Sequence, residues 1–147
     1  MSGAGSIAKL YTPAVLGLAT ELAAYPLDEN APLQATIRSR SCGSTLQFSG
    51  ALSADGRIEA PGARVTACAI GQAAAALFLR EAAGSDAGRI DQAIGQVGQW
   101  LAGQRSDVDW PGLDAIAAAR NYPGRHEAIL LPWKAARDAL SNAAPLR

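Results

Sequence analysis

The chain has 147 residues, 49 % apolar and 18 % charged, which suits one globular domain with a real core and excludes an intrinsically disordered chain. Thirteen Lys and Arg balance thirteen Asp and Glu, with no basic cluster, so the positive field that nucleic acid demands is missing and no such partner is expected. Two cysteines are too few for a disulfide framework, and no run approaches the roughly 20 apolar residues of a membrane span.

Residues 1–9 are small and polar and are expected to form a flexible N-terminal tail ahead of a single domain over residues 10–143. The apolar stretch that follows is interrupted by Thr12-Pro13, Thr20 and Glu21, and Lys9 is its only early cation. It reads as a helix and not as a signal peptide, which makes a soluble cytoplasmic protein with reduced thiols the expectation. Thr12-Pro13 supplies an N-cap hydroxyl and a proline at the first helical position, and Val15, Leu16, Leu18, Ala19 and Leu22 give an apolar face as far as Tyr25-Pro26.

Residues 27–32 read as loop. Residues 33–40 alternate Leu33, Ala35 and Ile37 with Gln34, Thr36 and Arg38, as a half-buried strand does. Cys42-Gly43-Ser44 is turn chemistry, residues 45–52 alternate again, and Asp55-Gly56 is a hairpin signal before a third strand over 58–67, bent or bulged at Pro61-Gly62. Three such runs make an antiparallel meander. From Ala69 the period changes: residues 70–83 form an alanine-rich helix buried on most sides and closed by Gly84, and residues 86–104 form an amphipathic one. Trp110-Pro111 is expected to open a short helix, Tyr122-Pro123-Gly124 to break the chain, and a last helix to begin near Leu131-Pro132. Trp110 and Trp133 read as core residues, and Asp107, Asp109 and Asp114 as capping or solvated loop groups.

In a meander the first and third strands point the same way. The first leads into Cys42 and the third into Cys68, so both thiols are expected at one edge of one small sheet. Cys68 also immediately precedes a helix, whose dipole and free N–H groups favour a thiolate, and Gly43 allows close backbone approach beside Cys42. Thiolates are the soft ligands that zinc, copper(I) and iron–sulfur clusters prefer. The plain alternative is a pair of core cysteines without chemistry, since the spacing is not that of a paired C-x-x-C site.

Several stretches, taken in order, resemble the U-type iron–sulfur scaffold family (the NifU N-terminal domain, IscU and SufU). They are an opening helix with Leu10-Tyr11, Ser41-Cys42-Gly43 after a strand, a hairpin, and a strand entering the buried helix through Cys68. Leu113-Asp114-Ala115, Asn121-Tyr122-Pro123-Gly124-Arg125 and Leu131-Pro132-Trp133-Lys134-Ala135 look most like the SufU branch. The likeness covers about residues 10–143.

The resemblance implies an α+β fold, a three-stranded antiparallel sheet with an N-terminal helix and several helices packed on it. It also implies a scaffold, not an enzyme, that binds an iron–sulfur cluster or iron, with zinc as the alternative. Such a scaffold takes sulfur from a cysteine desulfurase and passes sulfur or cluster to acceptor apoproteins. The chain departs from the family pattern at two ligand positions, with Ser44 in place of an aspartate and Ala128 in place of the third cysteine. Only Cys42 and Cys68 match. With either His126 or Glu127 they would give zinc three ligands and leave a fourth position for water or a partner.

The departures raise a second expectation, a degenerate homologue that keeps the fold as a protein-interaction module and binds no metal. A reversible Cys42–Cys68 disulfide and sulfur acceptance at a single thiol are further options. A Cys–His nucleophile with His126 lacks an orienting third residue. The chain has no G-x-S-x-G, P-loop, G-x-G-x-x-G after a strand, or H-E-x-x-H.

Overall fold

In the computed structural model residues 10–40 and 43–143 are described; the expected tail at 1–9 and Cys42 lie outside them. Helix α1 (Pro13–Glu21) starts as its sequence dictates. The Thr12 hydroxyl accepts the Val15 N–H at 3.1 Å, and Pro13 takes the first position, where no N–H is needed. A short 3-10 turn, Leu22–Ala24, ends it.

The meander follows. Strands β1 (Leu33–Arg38), β2 (Thr45–Leu52) and β3 (Ile58–Thr66) form one antiparallel sheet in the order β1-β2-β3. The register aligns Ile37, Leu46 and Val65 in one row and Ala35, Phe48 and Ala63 in the next, which gives the sheet an apolar face; Gln34, Thr36 and Arg38 point to solvent on the other. Gly56, at φ +81°, makes the β2–β3 turn. The expected irregularity in β3 is a β-bulge. Ser49 pairs with Gly62 and Ala51 with Glu59, so Gly50 alone faces Ala60 and Pro61, and Ala60 takes φ +48°. The free edge of β3 is covered by the segment after α1: Ala63 N–H donates to the Tyr25 carbonyl at 3.0 Å. A Cβ at Gly62 would collide with the Pro26 carbonyl oxygen, so only glycine fits there.

Three longer helices cover the apolar face. Helix α2 (Ala69–Ala82) is buried from Ala73 through Leu79 without a break, and Gly84, at φ +85°, follows its end. Helix α3 (Ala87–Leu101) is capped by the Asp86 carboxylate, which accepts the Arg89 N–H at 2.9 Å. Helix α4 (His126–Asn142) runs against α2, α3 and the sheet. Phe48, Phe78, Trp110 and Trp133 meet in the middle: Phe78 stacks on Trp110 with ring centroids 5.5 Å apart, and Trp133 stands edge-on to both. Both tryptophans are core, as their sequence setting predicts.

Two expectations fail. The last helix begins at His126 and not near Leu131-Pro132, and Pro132 lies inside it. An interior proline costs about 3 kcal/mol because it has no N–H for the carbonyl four residues back. Here that carbonyl belongs to Ala128. Burial of Ile129, Leu131, Pro132 and Trp133 on the core offsets that cost. The segment after Trp110-Pro111 starts at Leu113 and is 3-10 in character through Asn121, kinked at Ile116. Gly112, at φ +91°, separates it from Trp110, and the Trp110 indole N–H donates to the Leu77 carbonyl at 3.0 Å.

Arg80 on α2 grips Glu21 at the end of α1, with Nε 2.8 Å from Oε1 and a second bond to Oε2. The hydrogen bond from Arg80 holds the Glu21 carboxyl below its ordinary value near 4.5. Because the folded value is depressed, this contribution is present above the ordinary value and is lost as the pH falls through the folded one. Both side chains are more than one-third exposed, so screening keeps the contribution small. Glu21→Gln is expected to lower stability by about 0.5 kcal/mol at neutral pH. Paired thermal melts at pH 7 and pH 3 check this: the gap between wild type and variant closes in acid.

Candidate functional site

The strand ends converge on Thr45, which pairs with Arg38 on one side and Thr66 on the other. Ser39 N–H donates to the Ser44 carbonyl at 2.8 Å and carries the ladder one step further. At this end the chain returns through Gly43, at φ +71°, a conformation that favours glycine. Ala67 and Cys68 leave β3 at the same end. Cys42 itself lies outside the described residues, while Arg40 and Gly43, on either side of that connection, stand at the Cys68 end.

Cys68 is the N-cap residue of α2, with extended backbone angles (φ −65°, ψ 169°), and its thiol is free, half-buried and makes no capping hydrogen bond. Its carbonyl accepts the Gln72 N–H at 2.9 Å. The Gln72 side-chain amide reaches back to the Ala67 carbonyl, also at 2.9 Å, and braces the joint between β3 and α2.

Position 128 falls beside this joint. A Cβ built on Gly71 would lie 2.8 Å from the Ala67 Cβ and 3.6 Å from the Ala128 Cβ. Gly71 and Ala128 are each the third residue of their helices, and Phe78 and Trp133 meet further along with ring centroids 5.5 Å apart. Helices α2 and α4 therefore run parallel with both N-termini at the thiol end. The positive ends of two helix dipoles favour an anion there. Ala128 is buried at 1 % exposure, and its methyl offers no donor atom.

His126 opens α4. Its Nε2 lies 3.2 Å from the Ala119 carbonyl and 3.1 Å from that of Arg120. Both partners are acceptors, so in the neutral ring Nε2 carries the proton and Nδ1 the lone pair. Glu127 follows, and its Oε1 accepts the Arg40 backbone N–H at 2.6 Å. Ser44 is buried at 5 % exposure. An open groove beside these residues is lined by Arg40, Pro123, His126, Glu127, Leu130 and Lys134. Among the described residues no three His, Cys, Asp or Glu side chains gather closely enough to hold a metal ion. Also among the described residues, no helix is long and apolar enough to cross a membrane.

Sequence reasoning missed the Glu127–Arg40 bond, the groove cations Arg40 and Lys134, and the brace from Gln72. No local signal announces the first, since its partners lie 87 residues apart. Gln72 carried a weak signal, as the first long polar side chain after Cys68 in an otherwise small and apolar helix start.

The fold recurs in solved structures. The chain matches a nitrogen-fixing NifU-like protein (N-terminal) from Brucella abortus with a TM-score of 0.82 and 24 % identity, over 94 % of this chain and 96 % of that one. It matches FiSufU, an iron–sulfur cluster assembly scaffold protein for the SUF system from the thermophile Fervidobacterium islandicum AW-1, with a TM-score of 0.78 and 21 % identity, over 90 % and 97 %. A hypothetical protein matches with a TM-score of 0.64 at 14 % identity. No family model and no curated protein matches the sequence. The chain thus has the α+β fold of the NifU-like and SufU scaffold proteins, a three-stranded antiparallel sheet under packed helices.

Position 128 lies in tight packing, with glycine opposite at position 71. Ala128→Cys is expected to fold like wild type and to bind zinc roughly tenfold or more tightly, because it adds a thiolate donor beside Cys68. Competition titration against a chromophoric zinc chelator measures the gain; an unchanged affinity would mean that position 128 does not face the thiol.

Proposed function

We propose that this protein is a scaffold-type carrier for iron–sulfur cluster assembly, a binding protein and not an enzyme. Its cargo is iron, a nascent cluster or zinc, held by the thiolates of Cys42 and Cys68. The observation that carries this reading is the convergence of the strand ends and two helix N-termini around Cys68. This arrangement suits anionic thiolates and the negatively charged clusters they bind. The likeness in fold to an iron–sulfur assembly scaffold supports the same reading.

The third donor we assign is Nδ1 of His126. A ligating histidine commonly donates its other ring N–H to a backbone carbonyl, and Nε2 of His126 is engaged in that way. Three protein donors leave one position open for sulfide, water or a partner's side chain. On this reading sulfur comes from a cysteine desulfurase, and sulfur or cluster passes on to acceptor apoproteins.

One observation favours a second reading, a fold kept for protein interaction without metal: the buried methyl of Ala128 stands beside the first turn of α2 where a third thiol would be needed. Metal analysis of freshly isolated protein, followed by anaerobic reconstitution with iron and sulfide, separates the two. The carrier reading expects bound zinc or iron, and charge-transfer absorption after reconstitution that disappears in Cys42→Ser and in Cys68→Ser. Metal-free protein with featureless spectra in wild type and both variants would reject the carrier reading in favour of the second.

A further inference from the structure

We infer that Glu127 is a positioning residue, a clasp that holds Arg40, just after β1, against the start of α4, and that it supplies no metal ligand. The second half of this statement rests on the carrier reading; the first does not.

The last ladder bond at this end runs from Ser39 N–H to the Ser44 carbonyl, so Arg40 is the first residue whose N–H falls beyond the strand pairing. An N–H in that place is left to water or to a side chain. Glu127 reaches it from the second residue of α4, with Oε1 2.6 Å from the Arg40 nitrogen. A carboxylate accepting a backbone N–H makes a charge-assisted bond, and one in the first turn of a helix is further favoured by the dipole. Glu127 is half-buried and Arg40 exposed, so the bond forms in the presence of solvent and rests on its charge and its short length.

The bond also adds a polar tie between the turn after β1 and a helix 87 residues later that packs on the same strand. Metal ligands would tie such segments together only when cargo is bound. The clasp ties Arg40 to the helix without cargo, so this residue is held in place before an ion arrives, and that part of the ordering cost does not fall on binding. His126, one residue earlier, keeps Nδ1 for ligation, so the two neighbours divide the work.

Glutamine separates clasp from ligand, because its carbonyl oxygen still accepts an N–H while it is a poor zinc donor. The test compares Glu127→Ala and Glu127→Gln with wild type by amide hydrogen exchange and zinc titration. The expected result is that Glu127→Ala speeds exchange of the Arg40 amide about tenfold while the Phe48 amide, deep in β2, is unchanged. Glu127→Gln is expected to restore most of the Arg40 protection and the wild-type zinc affinity. Equal loss of zinc in both variants would overturn the inference by making Glu127 a ligand. Unchanged Arg40 exchange in Glu127→Ala, or faster exchange at Arg40 and Phe48 alike, would overturn the clasp. If wild type binds no zinc, the carrier reading fails, and the exchange data alone still decide the clasp.

Discussion

Close approach of α2 and α4 is the constraint on which the rest of the molecule depends. Gly71 has no side chain to hold Ala128 away, Ala73 through Ala76 are fully buried on α2, and Ala135, Ala136 and Ala139 are buried on α4. Methyl groups bury little area each, so the gain comes from packing density and many short dispersion contacts more than from surface removed from water. Larger volume enters further along, where Phe48, Phe78, Trp110 and Trp133 fill the space between helices and sheet. That packing leaves the Trp133 indole N–H buried without a hydrogen-bond acceptor. The bulky end of the helix pair therefore carries an electrostatic cost, while the tight end brings two N-termini to Cys68.

Most of the fold was legible because its signals are local. Alternation of Leu33, Ala35 and Ile37 with polar neighbours identifies a strand with one wet face, and Asp55-Gly56 identifies the turn that reverses it. Thr12-Pro13 and Asp86 mark helix starts through side chains that meet the first free N–H groups. What misled was local too. Pro132 looks like a first helical position, whereas Tyr122-Pro123-Gly124 does break the chain, between the 3-10 segment and the last helix. The helix runs from His126 because its buried face outweighs a missing hydrogen bond, and that balance depends on partners remote in sequence.

The placement of Cys68 was legible because topology alone determines it. Strand parity in a meander brings residues after β1 and β3 to one end, and a helix that starts at Ala69 makes Cys68 its cap. Side-chain roles at the start of α4 were not legible. His126 and Glu127 looked like interchangeable third donors, yet each has a backbone partner of its own. The ring bonds the carbonyls of Ala119 and Arg120, and the carboxylate bonds the Arg40 N–H. Such bonds are set by where loops pass once the core has closed, and no spacing rule encodes them.

Ser44 and Ala128 bear on what the proposed site would hold. A donor set of three thiolates and a carboxylate would bring four negative charges to a divalent ion. Two thiolates and a neutral imidazole bring two, so the complex with zinc carries no net charge. The two helix N-termini are unchanged by that loss and still favour negative charge. The site's electrostatics are then best completed by an anionic donor from outside, such as sulfide or the thiolate of a partner, at the open position. Fewer protein ligands also mean weaker retention, and a carrier has to release what it holds. On the proposed carrier reading, the missing ligands, read through the charge of their surroundings, are compatible with transfer.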